Sequence, residues 1–355
     1  MDFHHVRFYV DDACRWADWL AKTFQFVRVR QVRQPTEDTV WLRQGGVQVA
    51  LVSPRCDRSV VAQYLQQHPP GAVDVAFAVS DLPTTLQRLW QRGVQLLQPI
   101  QRLRLGEAIQ PCAHVAGWDG IVHTLVQAPP SPAASPSAAS PSADSDWALD
   151  IDHAVINVPR GQLQAAVAWY CCTFGFEPQQ QFDIQTAQSG LHSQVLTHPQ
   201  GRAQMPINEP STTNSQIQDF LAENRGTGVQ HVALRTTNLL ATVEQLQVCG
   251  LQRLSVPHDY YDQLRNRPGY CPQLLDWHGV RRQQVLVDWP VTQPQALLLQ
   301  TFTEPMFEQP TFFWELIERR QYRQAGQCQL AEGFGAGNFQ ALFEAVERRQ
   351  HLRVG

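Results

Sequence analysis

The chain has 355 residues, 43% of them hydrophobic and 17% charged, and a formal net charge of -4 at pH 7. That is the balance of a soluble globular protein with enough chain for two cores. It excludes the basic face of a nucleic-acid binder, and no apolar run approaches the roughly 20 residues of a membrane helix. Neither nucleic acid nor a membrane is therefore expected as a partner. The eight cysteines include no CxxC pair, and adjacent Cys171 and Cys172 are poorly placed to share a zinc ion. Reduced thiols in a cytoplasmic protein are the simplest account. The start, Met1-Asp2-Phe3-His4-His5, lacks the basic and apolar regions of a signal peptide and reads as the beginning of a strand.

The first predicted strand, His5 to Val10, alternates in polarity as a strand should. A helical stretch follows and ends in Trp19-Leu20-Ala21-Lys22-Thr23-Phe24-Gln25-Phe26. A second strand, Asp74 to Val79, runs without a gap into the helix DLPTTLQRLWQRGVQ. Residues 129–147 then form a Pro/Ser/Ala-rich stretch, PPSPAASPSAASPSADSD from Pro129 to Asp146. Pro129 to Asp146 includes no large apolar residue, so the stretch cannot build a core and reads as an exposed linker.

The chain beyond the linker repeats what came before. His153 to Val158 matches the first strand, and Trp169 to Phe176 repeats the pattern W-x-x-x-T-F-x-F. His231 to Thr236 matches Asp74 to Val79 and again enters a helix, NLLATVEQLQVCGLQ. The expected fold is α+β. It has a first domain over 1–128, a linker over 129–147 and a second domain over 148–355. Each domain is read as two strand-helix units followed by further strands, βαβββ four times over. This layout resembles the vicinal-oxygen-chelate architecture, in which paired modules curl a mixed sheet into a half-open barrel around a metal.

His153 and His231 open the matching strands of the second half, and Glu315 stands inside the apolar run Thr311-Phe312-Phe313-Trp314-Glu315-Leu316-Ile317. A buried carboxylate needs a partner. Two imidazoles and one carboxylate make the facial triad of non-haem iron(II) oxygenases, which leaves three positions for substrate and O2. Taken singly, each residue reads as structural; the repeat symmetry is what joins them. The equivalent positions of the first half are read as His5, Asp74 and His123, a vestigial site.

The segments IDHAVINV, SGLHSQVL, MPINEP, SQIQDFL, GVQHVALRT, LLLQTFT, PTFFWELIER and GFGAGNFQALFEAVE resemble the 4-hydroxyphenylpyruvate dioxygenase family in order and spacing. The resemblance implies Fe(II) held by His153, His231 and Glu315. It implies a substrate pocket of Ser193, Pro206, Asn208, Gln216, Gln230, Gln300, Phe302, Phe313, Phe334, Asn338 and Phe339. Gln216, Gln300, Asn208 and Phe339 carry the implied catalytic roles. Amide side chains suit a phenol hydroxyl because they both donate and accept, and Phe313 and Phe339 could sandwich a ring.

The implied reaction takes 4-hydroxyphenylpyruvate and O2 to homogentisate and CO2, for tyrosine catabolism or for prenylquinone and tocopherol synthesis. A C-terminal helix, Phe339 to Arg349, is expected to cap the pocket, and a homo-oligomer, dimer or tetramer, is expected. Departures from the family are the long linker, Ala336, and His192 beside Ser193. The alternatives are 4-hydroxymandelate synthase, disfavoured by Pro206 and Phe302, an extradiol ring-cleaving dioxygenase, and a metal-free binding protein on the same scaffold.

Overall fold

The computed structural model describes residues 1–105, 108–128, 148–186, 189–324, 326–335 and 337–341. The repeated W-x-x-x-T-F-x-F pattern marks the end of a helix in each half. The helices Ala13–Phe24 and Leu163–Phe174 both stop at the variable residue before the last Phe. Gln25 (φ 56°) and Gly175 (φ 79°) take the left-handed conformation there, and their backbone N–H groups close back on Leu20 and Tyr170. Thr23 and Thr173 donate their hydroxyls to the carbonyls of Trp19 and Trp169, at 2.7 and 2.6 Å. Phe24, Phe26, Phe174 and Phe176 are buried. The motif is thus a helix stop with an aromatic on each side of the turn.

In the first half the strands are β1 (Asp2–Tyr9), β2 (Val27–Arg33), β3 (Glu37–Gln44), β4 (Val47–Pro54), β5 (Gly71–Val79), β6 (Leu96–Leu105), β7 (Ala108–Ala116) and β8 (Val122–Gln127). Their spatial order is β2-β3-β4-β1-β5-β8-β7-β6. The second half continues with β9 (Asp150–Asn157), β10 (Glu177–Gln185), β11 (Gly190–Thr197), β12 (Gln204–Pro210), β13 (Gly228–Arg235), β14 (Leu286–Asp288), β15 (Leu298–Phe302) and β16 (Phe313–Arg319). Its order is the same, β10-β11-β12-β9-β13-β16-β15-β14. Within each half the inner pair β1/β5 or β9/β13 is antiparallel, and its flanking neighbours are parallel. These are the paired βαβββ modules of the sequence reading, as an open mixed sheet. A single pair, Val229 with Ala72, ties the two sheets together.

The second half adds what the first lacks. Helices His258–Leu264 and Trp277–Arg282 are inserted before a β14 of only three residues. A hairpin, β17 (Gln321–Gln324) with β18 (Gln327–Leu330), precedes the C-terminal segment. Helical backbone begins at 337 and runs to 341. The remainder of the helix expected to Arg349, and Ala336, lie outside the described residues.

Candidate metal centre and substrate pocket

Register brings the three expected ligands together. Ala233 on β13 lies opposite His153 on β9 and opposite Glu315 on β16. His231, two residues earlier on β13, shares that face because side chains alternate with period two. The Nε2 atoms of His153 and His231 stand 3.3 and 3.4 Å from Glu315 Oε2. All three residues are buried, and one ligand atom from each lies within 4.8 Å of the others. Among the described residues no other such cluster occurs.

Each histidine is oriented by the residue before it. Successive strand residues normally face opposite ways, but the β9/β13 ladder breaks register at Asp152 and at Gln230. The two bulges turn these side chains toward the ligand rings. Asp152 Oδ1 accepts from His153 Nδ1 at 2.9 Å, and Gln230 Oε1 from His231 Nδ1 at 3.2 Å. Both Nε2 atoms are thereby left for a metal. Glu315 is fixed by Gln300 Nε2 at 2.8 Å, and Gln300 Oε1 accepts from Asn338 at 2.7 Å.

The electrostatics match a cation site. Burial pushes Glu315 toward neutrality, but His153 and His231 outweigh it and hold the carboxyl down at about 2. Burial lowers His231. His153 meets the same burial, yet Glu315 and Asp152 raise it to about 9. Burial of Asp152 is outweighed by Arg319, which keeps its carboxyl well below the usual range. An ionised, buried carboxylate between two imidazoles whose Nε2 atoms both face it fits a divalent first-row metal, and the N,N,O donor set leaves one side open.

The open side faces a narrow cavity of about 30 Å³. Of the expected pocket residues, Ser193, Pro206, Asn208, Gln300, Phe302, Phe334 and Phe339 line it. Among the described residues, Ser193 Oγ and Asn208 Oδ1 are buried with no hydrogen-bond partner. Asn208 Nδ2 donates to Asn157 at 3.2 Å. Phe334 stands edge-on to His153, with ring centres 4.9 Å apart.

Four expected residues lie elsewhere. Gln230 and Asn338 act behind the wall through His231 and Gln300. Phe313 stacks on the His231 ring at 4.7 Å rather than lining the cavity. Gln216 opens the helix Gln216–Asn224 and does not line the cavity. His192 faces away from Ser193 and pairs with Asp183 at 3.1 Å.

The sequence reading missed Val155, Val195 and Phe182, which complete the walls. Val155 and Val195 follow His153 and Ser193 by two, so strand parity could have found them. Phe182 is the cross-strand partner of Ser193 and needed the register. Asp152 and Arg319 were missed as well, because a bulge is invisible to periodicity.

The first half corrects one expectation. Asp74 pairs with Val122 and Phe77 with Leu125, so Ala76 lies opposite Thr124. Thr124, not His123, therefore occupies the position of Glu315. His123 points to the other face, where it meets the Val75 carbonyl and the Tyr170 hydroxyl, both at 2.9 Å. Asp74 accepts hydrogen bonds from the Thr124 backbone N–H and hydroxyl.

Models of the Glyoxalase/Bleomycin resistance protein/Dioxygenase superfamily match residues 4–109 and 150–267. An uncharacterised protein of Synechocystis sp. is 34% identical over 98% of this chain and 97% of its own. The 4-hydroxyphenylpyruvate dioxygenase of Caenorhabditis elegans is 31% identical over 99% of this chain and 92% of its own. The chain belongs to the 4-hydroxyphenylpyruvate dioxygenase family. A solved triple mutant of 4-hydroxymandelate synthase from Streptomyces coelicolor superimposes with a TM-score of 0.83 at 26% identity, covering 98% of both chains. This family member is thus a vicinal-oxygen-chelate enzyme of the dioxygenase type, with its candidate metal site in the second half. Among the described residues no helix is long and apolar enough to cross a membrane.

Proposed function

We propose that this chain is an Fe(II)-dependent 4-hydroxyphenylpyruvate dioxygenase, converting its substrate and O2 to homogentisate and CO2. The observation that carries the reading is the buried His153–His231–Glu315 triad, opening on a cavity whose unpaired polar atoms are Ser193 Oγ and Asn208 Oδ1. When bound, Fe(II) supplies open positions for the 2-oxo acid and O2, and the redox chemistry of decarboxylation and ring hydroxylation.

The chain's own residues supply orientation. A phenol hydroxyl both donates and accepts. Ser193 can donate to it and Asn208 can accept from it, so one hydroxyl satisfies two orphaned atoms. Gln300 keeps one N–H and one lone pair beyond its bonds to Glu315 and Asn338, so it faces the substrate while fixing the ligand carboxylate. Phe302, Phe334 and Phe339 enclose the ring and exclude water. Ligand pockets run to about 300 Å³ or more, so the reading requires Phe334 and Phe339 to swing outward on substrate entry. Gly335, at φ +63°, sits between them.

The test is turnover by Fe(II)-loaded protein with 4-hydroxyphenylpyruvate and O2. Homogentisate is the expected product. The full-length structural likeness to 4-hydroxymandelate synthase favours one second reading. Its product is an isomer of homogentisate, so retention against authentic standards decides, not mass. 4-Hydroxymandelate would keep the metal centre and overturn the role given to Pro206 and Phe302. Consumption of neither substrate nor O2 would overturn both readings.

A further inference from the structure

Arg319 ends β16 four residues beyond the ligand Glu315, and it is buried without lining the cavity beside the triad. Its guanidinium grips Asp152 in a two-pronged contact, Nη2 to Oδ1 at 2.7 Å and Nε to Oδ2 at 2.8 Å. The same Asp152 Oδ1 holds His153 Nδ1. The third nitrogen, Nη1, points the other way and donates to the carbonyls of Gly333 at 2.7 Å and Ala331 at 3.3 Å. Phe334 follows directly. Its ring lies 5.7 Å from the Arg319 guanidinium carbon and 4.9 Å from the His153 ring, and it walls the pocket. One side chain therefore bridges the carboxylate that orients a ligand and the backbone that carries a pocket wall.

On the reading of the triad as a metal centre, we infer that Arg319 is a positioning residue coupling the orientation of His153 to the seating of segment 331–334. Metal at His153 and closure of Phe334 then favour each other. The physical reason is donor satisfaction. With the segment seated, Arg319 has partners on both sides, and Asp152 is held where it fixes the imidazole. If the segment lifts, the guanidinium loses two carbonyls in a buried place, and its hold on Asp152 is free to shift. Such coupling is reciprocal, so metal that locks His153 must also steady the segment. Lysine cannot substitute, because a point charge on a single stem cannot grip a carboxylate in two bonds while holding a carbonyl opposite. Behind this bridge lies a polar cavity of about 540 Å³, bounded by Asp152, Arg319, Gly333 and Phe334, which gives the segment room to move.

The test follows hydrogen exchange of the peptide spanning 328–341 in full-length protein, without metal and with Co(II), which suits the same donors. In wild type, Co(II) is expected to slow exchange by at least about fivefold, the low end of ordinary coupling. Arg319→Lys is expected to bind Co(II) about 10- to 100-fold more weakly. At saturating Co(II), its exchange should no longer respond to the metal. A merely structural role would speed exchange equally with and without metal, leaving the response intact, and that result overturns the inference. Should Arg319→Lys fail to fold, the wild-type comparison decides alone. Wild type that binds Co(II) and forms homogentisate with Fe(II), yet shows no exchange response, overturns the inference and spares the proposed function. Wild type that binds no metal overturns both.

Discussion

The ladder breaks at the same places in both halves, before the first histidine and within the neighbouring strand, yet the bulged residues carry opposite chemistry. In the second half the bulge before His153 presents Asp152, an anion that orients the imidazole. In the first, the bulge before His5 presents His4, whose Nδ1 lies 2.8 Å from His5 Nδ1. Burial together with the adjacent His4 holds His5 well below the ordinary histidine range. Where the second half has Val155, the first has Arg7, a cation 3.9 Å from Asp74. Where the second has Glu315, the first has Thr124, and Arg319 corresponds to Ala128. One backbone plan thus serves twice. In one half it gathers ligands, and in the other it closes on an internal Arg7–Asp74–Thr124 network. The lesson is that function here resides in a few side chains placed on a shared scaffold.

The comparison can be broken most severely at the ligands. Glu315→Ala or His231→Ala should abolish tight Fe(II) binding and reduce homogentisate formation to background, read by metal analysis and product chromatography. The next largest effect is expected in the other half. Asp74→Ala leaves half-buried Arg7 without its counter-charge and buried Thr124 without its acceptor, so stability should fall by about 3 kcal/mol in urea unfolding. Fe(II) stoichiometry per folded chain should not change. If Asp74→Ala lost its metal instead, the division of labour between the halves would be wrong. Ser193→Ala removes one neutral hydrogen bond of about 1 kcal/mol, so KM for 4-hydroxyphenylpyruvate should rise about fivefold. Asn208→Ala should do at least as much, because it also strips Asn157 of a partner. An unchanged KM in both variants would place the phenol elsewhere in the cavity.

Much of this organisation could be read from the chain itself. The repeated strand openings and the W-x-x-x-T-F-x-F helix stop disclosed two matching halves, since strand period and helix-stop chemistry are local. The candidate ligand set was legible because His153 and His231 occupy matching strand positions and Glu315 interrupts an apolar run. What stayed hidden depends on register. One residue of slip exchanges the two faces of a strand, which is why His123 was read in place of Thr124. The bulges at Asp152 and Gln230 defeat parity in the same way. The Asp152–Arg319 bridge joins residues far apart in sequence, and no periodicity reports it. Gln216 is a different case: its place in the pocket follows from family position alone, and the helix that it opens packs through Ile217, Phe220 and Leu221 on the wall residues Phe182 and Phe339.

The central claim is that the second half alone builds the metal centre. Anaerobic titration of metal-free protein with Fe(II), carried out on wild type, Glu315→Ala and Asp74→Ala, tests it most directly. The account predicts one tight Fe(II) per chain in wild type, none in Glu315→Ala and one in Asp74→Ala. Two ions in wild type, or one retained by Glu315→Ala, would contradict it.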